Sequence, residues 1–350
     1  MKHVVSLSGG RTSTGVLPKE VIKKYGAKNV DLIFCDTGAE DDDTYRFIRD
    51  SEKMLGMKIT CLKLVMPKEK GKGCDYKACT TADIKKDYES WKQLTHKYGN
   101  PYVPGGKFCT DQMKTQIFKK YCNDKYGKGG FYTWLGYRYE EGQRIWGKVA
   151  SNALGKVGMS NTEKTEFYLS CISGSVDALL DEYFPSMFPS DCDLVEKNHI
   201  KKALKTIKDK NFRFLSELSS LNKEGVIAWW SGNEFDLKID EHLGNCIFCM
   251  EKPSGTVMLA IKDRPTDAKE FLKVVESEDV AQKENRKRSG DIMYRDGASF
   301  RWLYEKAMAT SREEILKLSV IGKKLAKKNT CSSGECSPFG EIHEEQQDLF

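Results

Sequence analysis

His3-Val4-Val5-Ser6-Leu7-Ser8-Gly9-Gly10-Arg11-Thr12-Ser13 is the stretch on which the reading of the chain turns. Residues 3–7 form a short apolar run of buried-strand type. A glycine pair follows, and residues 12–25 carry a helical pattern. A strand, a glycine turn and a helix in that order make a phosphate-binding geometry. Adjacent glycines let backbone N–H groups turn toward one anion, because no Cβ blocks the approach. The helix N-terminus adds partial positive charge at the same point. Ser8, Thr12 and Ser13 supply hydroxyl donors, and Arg11 can add charge. From spacing alone the stretch reads equally as a tight turn with a Ser/Thr cap. It is not the G-x-x-x-x-G-K-[ST] loop of P-loop NTPases. Nor is it G-x-G-x-x-G, so a dinucleotide Rossmann reading loses support.

Outward from this turn, residues 30–35 form a second apolar run, closed by Asp36-Thr37-Gly38. A helix is expected over 41–55, with Tyr45, Phe47, Ile48 and Leu55 facing inward. Residues 58–65 read as a third strand, 111–122 as a helix, and 131–136 as a strand ending on Gly136-Tyr137-Arg138. This alternation predicts parallel pairing through right-handed crossovers. The expected class is therefore α/β, an open and mostly parallel doubly wound sheet over residues 1–150. Residues 66–106, rich in Lys, Gly and Pro, are read as an insertion.

Beyond residue 150 the strand signal fades. Residues 163–183, 198–210, 224–230 and 312–328 look helical. In the second of these Ile200, Ala203, Leu204 and Ile207 share a face and lysines take the other. Three further regions are expected: 151–240, helical; 241–330, carrying a cysteine pair; and 331–350, a Ser-, Gly- and Glu-rich mobile tail.

The 350 residues are 39% hydrophobic and 31% charged, an ordinary globular balance. No stretch approaches the roughly 18 uninterrupted apolar residues of a membrane span. Met1-Lys2 leads straight into the first strand, without the apolar region of a signal peptide. A cytoplasmic protein with no membrane partner is expected. The net charge of +6 permits an anionic partner without requiring one.

Twelve cysteines are unsuited to disulfides in a reducing compartment. Cys35, Cys61, Cys122 and Cys171 sit in apolar contexts and read as core residues. Cys246-x-x-Cys249 has metal-ligand spacing but cannot complete a tetrahedral site alone. Cys336, on the tail with Cys331, is a candidate nucleophile that could swing into a site; two unpaired tail cysteines are the plainer reading. Arg286-Lys287-Arg288 and Lys323-Lys324 with Lys327-Lys328 could contact a nucleic-acid backbone or be solvated faces.

Five segments in order resemble the PP-loop, or adenine nucleotide alpha hydrolase-like, superfamily, and within it the PAPS reductase-like proteins related to DndC and the tRNA thiolation enzymes. Ser8-Gly9-Gly10-Arg11-Thr12-Ser13 resembles the SGGxxS pyrophosphate loop. Phe34-Cys35-Asp36-Thr37-Gly38-Ala39-Glu40 is similar to the "NTG.E" segment, Phe108-Cys109-Thr110-Asp111-Gln112-Met113-Lys114 to "CT..LK", and Gly136-Tyr137-Arg138-Tyr139-Glu140-Glu141 to "G.R..E". Gly244-Asn245-Cys246-Ile247-Phe248-Cys249 looks like the cysteine pair of often phage-borne members.

The resemblance implies a HUP-like domain in which residues 8–13 hold phosphates of ATP or a PAPS-type nucleotide, with Mg2+. It places Asp36 and Thr37 near adenine and ribose, and Gly136 and Arg138 at a phosphate oxygen; from the residues alone Arg138 reads equally as a surface salt bridge with Glu140 or Glu141. It implies Cys109 as a third metal ligand beside Cys246 and Cys249, for a [4Fe–4S] cluster or for zinc; free or redox thiols without a metal are the third reading. Cys331, Cys336, Cys74 and Cys79 are candidates for the fourth. The expected activity is ATP-dependent adenylylation with pyrophosphate release, linked to sulfur transfer or nucleic-acid modification. A PAPS/APS reductase-like oxidoreductase is the alternative. Against it, Glu335-Cys336-Ser337-Pro338 departs from the Glu-Cys-Gly-[Ile/Leu]-His run of reductases. A third possibility is a non-catalytic nucleotide-binding effector that docks on a DNA-processing partner. The terminal Gln346-Gln347-Asp348-Leu349-Phe350 resembles the Q-x-x-L-F peptide by which such proteins bind the sliding clamp.

Overall fold

Side chains along the first strand point alternately to two faces, and both faces are covered. In a computed structural model that describes residues 1–67, 72–101, 108–174, 193–277, 293–294 and 297–319, β1 (Lys2–Leu7) runs through a glycine turn into a π-helical segment, Thr12–Val16, and on into α1 (Leu17–Tyr25). Then come β2 (Val30–Asp36), α2 (Asp42–Leu55), β3 (Ile59–Val65), β4 (Asp75–Cys79) and α3 (Glu89–Tyr98). One helical turn, Phe108–Thr110, and a π-helical stretch, Asp111–Gln116, lead into α4 (Ile117–Tyr126) and β5 (Phe131–Leu135). After α5 (Gly142–Lys156), α6 (Asn161–Ser173) and α7 (Asp193–Asp209), the short β6 (Phe212–Phe214) returns to the sheet. The helices α8 (Lys223–Ser231), α9 (Ser254–Asp263), α10 (Pro265–Val275) and α11 (Phe300–Ala309) complete the described elements used below.

The six strands form one open sheet in the order β4-β3-β2-β1-β5-β6. β1 pairs in parallel with β2 and β5, β2 with β3, and β5 with β6; only β4 runs antiparallel, against β3. The winding direction therefore reverses between β1 and β5. The α/β class and the mostly parallel open sheet are as expected.

Each face of the sheet has its own core. Val4, Ile33, Cys35 and Leu62 pack with Trp91, Ile117, Phe271 and Phe300. Val5, Leu32, Phe34 and Cys61 pack with Val16, Leu17, Val21, Phe47 and Trp230 on the other face. A third core joins Trp146, Tyr168, Ile200 and Leu204 to Phe214. Burying side chains of this size contributes about 1.5–3 kcal/mol each. Cys35, Cys61, Cys122 and Cys171 are all buried, as their apolar neighbours predict.

Local signals set the helix ends. Asp41 caps α2, accepting from the Asp43 N–H at 3.0 Å, and Gly56 closes it with φ +60°. Ser160 and Glu163 form a capping box at α6. Two strands lie where none was expected. β4 falls inside the supposed insertion, as a polar edge strand without an apolar face. β6 falls inside the supposed helical region and is only three residues long, too short to show a period. Helix 312–328 is described over 312–319, and its remainder lies outside the described residues. No helix among the described residues is long and apolar enough to cross a membrane.

Candidate functional site

The turn after β1 and the turn after β5 meet where the strand order reverses. Gly9 adopts φ +78°, a conformation that only glycine takes without strain, and a Cβ there would sit 2.6 Å from Thr44 Cγ2. The Ser13 hydroxyl closes the turn: it lies 2.7 Å from Ser8 Oγ and accepts from the Ser8 N–H at 3.1 Å. Across the gap, Gly136 lies against Ser13. Arg138 Nη1 donates to Thr12 Oγ1 at 3.3 Å, while Arg138 Nε is held by Glu140 Oε1 at 2.7 Å. The structure thus brings Ser8, Gly9, Gly10, Thr12, Ser13, Gly136 and Arg138 together.

Arg11 is turned elsewhere. Its guanidinium makes a two-pronged pair with Asp236, at 2.7 and 2.8 Å, and donates to the Leu237 carbonyl at 2.6 Å. Its own carbonyl accepts from Trp230 Nε1 at 3.0 Å. The arginine ties the turn to the segment before the cysteine pair.

Asp36 and Thr37 are completely buried. Asp36 Oδ1 accepts from the Gly38 N–H and the Tyr45 hydroxyl at 2.8 and 3.0 Å, and Oδ2 faces the Lys63 ammonium at 3.4 Å. Burial pushes the Asp36 carboxyl up to about 6, with the Gly38 N–H, Lys63 and Tyr45 opposing. Thr37 Oγ1 lies 3.3 Å from both Glu40 Oε1 and Cys246 Sγ. Both side chains are engaged by protein groups, and Thr37 faces the cysteines.

Cys109, Cys246 and Cys249 line one small cavity of about 20 Å³ together with Thr37, Trp91 and Lys114. That volume suits one water-sized occupant. The Ile247 N–H donates to the Ala39 carbonyl at 2.9 Å and docks the cysteine turn onto the end of β2. Glu40 Oε1 lies 3.8 Å from Cys246 Sγ and 3.9 Å from Lys114 Nζ. Burial first, then Glu40, holds the Cys246 thiol far above its usual range.

By donor chemistry the set fits a thiophilic metal or cluster. A tetrahedral zinc with Zn–S of about 2.3 Å separates its sulfurs by about 3.8 Å. Among the described residues, the group of three potential ligands drawn within 4.8 Å is instead Asp240, His242 and Asp263. The cysteine side chains must close in for zinc, or the walls must part for a cluster. Cys79 packs with the core of the opposite face, and Cys74 is not among the cavity's lining residues. Cys331 and Cys336, the basic clusters at 286–288 and 323–328, and Gln346–Phe350 lie outside the described residues.

Three features escaped the sequence. Lys252 is buried, and its Nζ donates to the carbonyls of His242, Cys246 and Ile247, each at 2.9 Å. Its only sequence signal is its place three residues after Cys249. His242 Nε2 meets Asp263 Oδ2 at 2.9 Å, and Asp263 is also clamped by Arg312 at 2.7 and 2.9 Å. Burial draws the His242 pKa below its usual value against the pull of Asp263. Beside this pair opens a cleft of about 460 Å³, lined by Lys238, Asp240, Asp263, Arg264 and Arg312 among others. Arg264 Nε pairs with Asp41 at 2.9 Å, so the cleft borders the N-terminus of α2.

The chain is 31% identical over 343 residues to the "uncharacterized nin region protein ORF290" of Escherichia phage lambda, covering 97% of this chain and 96% of that protein. The chain belongs to that family. No protein-family model matches it, and no solved structure does. The likeness runs through nearly the whole of both chains in one alignment.

Proposed function

We propose that this ORF290 relative is a PP-loop enzyme with a HUP-like nucleotide domain, binding ATP or a related adenosine nucleotide at residues 8–13 and 136–138. The observation that carries this reading is the seat of Gly136 on Ser13, with the Arg138 guanidinium reaching Thr12, at the point where the strand order reverses. Ligands of open α/β sheets bind in that crevice, beyond the carboxyl ends of the strands. The N–H groups and hydroxyls of residues 8–13 would take the β- and γ-phosphates, and the planar Arg138 fork would take a phosphate oxygen.

A seat of this kind serves adenylylation with departure of pyrophosphate. Charge grows on the leaving group and meets oriented donors, with Mg2+ offsetting the remainder. The cysteine cavity, reached from the end of β2 at the same edge of the sheet, supports sulfur transfer as the linked step. Cys109, Cys246 and Cys249 would hold a [4Fe–4S] cluster or zinc there. A nucleic acid is the acceptor that the resemblance of Gln346-Gln347-Asp348-Leu349-Phe350 to a sliding-clamp peptide favours.

Calorimetric titration with ATP and with PAPS tests the reading, followed by assay of pyrophosphate against phosphate release. Binding of an adenosine nucleotide that is lost in Arg138→Ala is expected. A wild-type protein that binds neither nucleotide at millimolar concentration overturns it.

A further inference from the structure

The cleft of about 460 Å³ beside Asp263 shares a wall with the turn after β1. Leu237 lines the cleft, and its carbonyl accepts from Arg11 Nη2 at 2.6 Å. The Asp236 carbonyl accepts from Arg46 Nη2, also at 2.6 Å, and the Asp43 carboxylate accepts from the Lys238 N–H. Three successive residues are thus tied to the turn and to α2, which fixes the wall. The volume falls within the range of ligand sites.

Three cationic side chains from separate segments converge there. Arg264 gives Nε to Asp41 at 2.9 Å and Nη1 to the Asp263 carbonyl at 3.1 Å, leaving Nη2. Arg312 gives Nε and Nη2 to the Asp263 carboxylate, leaving Nη1. Lys238 Nζ has no partner among the described residues. A carboxylate that grips one edge of a guanidinium orients the other edge, and a planar fork held in this way suits a phosphate oxygen.

The carboxylates narrow the choice of occupant. Asp41 and Asp263 are engaged by the two arginines, and Asp43 by Arg46. Lys238, Arg264 and Arg312 face Asp41, Asp240 and Asp263, so net charge alone selects nothing; the uncommitted groups do. Asp240 is the lining carboxylate that no cation pairs with among the described residues. It repels a bare phosphate and accepts from an N–H or O–H. An occupant that suits both sides carries a phosphate with a hydrogen-bond donor beside it, as each unit of a nucleic-acid strand does through its base or ribose. Lys238 and Asp240 are exposed, and the Arg264 and Arg312 side chains are 38% and 50% exposed. The cleft therefore lies open to a passing strand instead of closing around one small molecule.

We propose that this cleft seats the nucleic-acid acceptor, with one phosphate on Lys238, Arg264 and Arg312 and with Asp240 accepting from the adjoining base or ribose. This rests on the nucleic-acid reading of the acceptor, not on the chemistry done to it.

Fluorescence anisotropy of labelled single-stranded DNA and RNA oligonucleotides with the full chain, at several salt concentrations, tests the seat. Inorganic phosphate and a mononucleotide serve as competitors. Lys238 is exposed and unpaired, so Lys238→Gln leaves the fold intact. Arg264→Gln is the second variant, with its folding checked in urea. Lys205→Gln removes the same charge from an exposed position of α7 that does not line the cleft. Binding of at least one oligonucleotide is expected, weakened about tenfold in Lys238→Gln and in Arg264→Gln. Each variant should also lower the salt slope by about one phosphate contact. Lys205→Gln should match the wild type. If Arg264→Gln does not fold, Lys238→Gln decides. A loss in Lys238→Gln no greater than in Lys205→Gln overturns the proposal, as does a wild type that binds neither oligonucleotide at low salt. Competition by inorganic phosphate or the mononucleotide at the strand's own concentration identifies a free phosphate compound as the occupant and overturns the strand. Titration of the same samples with ATP keeps the two readings apart. ATP bound without a strand removes the cleft proposal alone, and a strand bound without any adenosine nucleotide removes the nucleotide reading alone.

Discussion

Gly136 rests on the backbone of Ser13: a Cβ at position 136 would lie 3.1 Å from both Cα and Cβ of Ser13 and 3.3 Å from its nitrogen. These distances are tighter than ordinary packing. Gly136→Ala must therefore displace the turn after β1 or the turn after β5, at about 1–3 kcal/mol. We expect nucleotide affinity to fall about tenfold while the fold persists, since 1.4 kcal/mol is a factor of ten. Unchanged affinity by calorimetry would detach this contact from the nucleotide seat.

Arg138 is already oriented by Glu140 and Glu141, at 2.7 and 3.3 Å. Arg138→Lys keeps the charge and loses the planar fork. About a tenfold loss of nucleotide affinity is expected for Lys and a larger one for Ala, because hydrogen bonds to charged groups contribute about 1.5–3 kcal/mol. Equal affinity in the lysine variant and the wild type argues against a two-pronged phosphate contact.

Asp36 links stability to pH. Its folded pKa, about 6, lies above its unfolded value because burial disfavours the carboxylate. The native state therefore binds the proton more tightly. The stabilisation is full below the unfolded pKa and is lost as pH rises through about 6. The span corresponds to about 3 kcal/mol. Asp36→Asn lacks this titration and should gain on the wild type by up to that amount between pH 4 and pH 7 in urea melts. A difference that stays constant with pH shows that the carboxylate is not held this way.

Gly15 faces the indole of Trp230, where a Cβ would lie 2.0 Å from Cζ2. The same indole donates to the Arg11 carbonyl, so it cannot swing aside freely. Gly15→Ala should cost about 3 kcal/mol, the upper end for overpacking. Unfolding in urea with an unshifted midpoint would mean that the Trp230 ring relocates.

The Arg11–Asp236 pair is two-pronged and about one-third exposed on each side. A double-mutant cycle of Arg11→Ala and Asp236→Ala should give a coupling of about 1 kcal/mol, falling as salt rises. Additive effects would show that the two residues act separately.

The sequence made some of this readable and hid the rest for physical reasons. Strands β1, β2, β3 and β5 lie inside the sheet with cores on both faces, so they appear as short, mainly apolar runs. β4 is a polar edge, and Phe212-Arg213-Phe214 is too brief for a pattern. The glycine turn after β1 was legible because Gly9 and Gly10 are a local signal. The surroundings of Thr37 were not, since its neighbour Cys246 is 209 residues away in the chain. Lys252 was one of many lysines and arginines until the fold closed three carbonyls around it.

The sheet ends at one margin in β4, five residues long with Lys77 exposed on it, and at the other in β6, only three residues long. Each margin offers few free N–H and C=O groups, and one carries a charge. Short, charged edges are poor templates for pairing with a neighbouring molecule. Even at high concentration, copies of the protein would find little at either margin on which to extend the sheet from one molecule to the next.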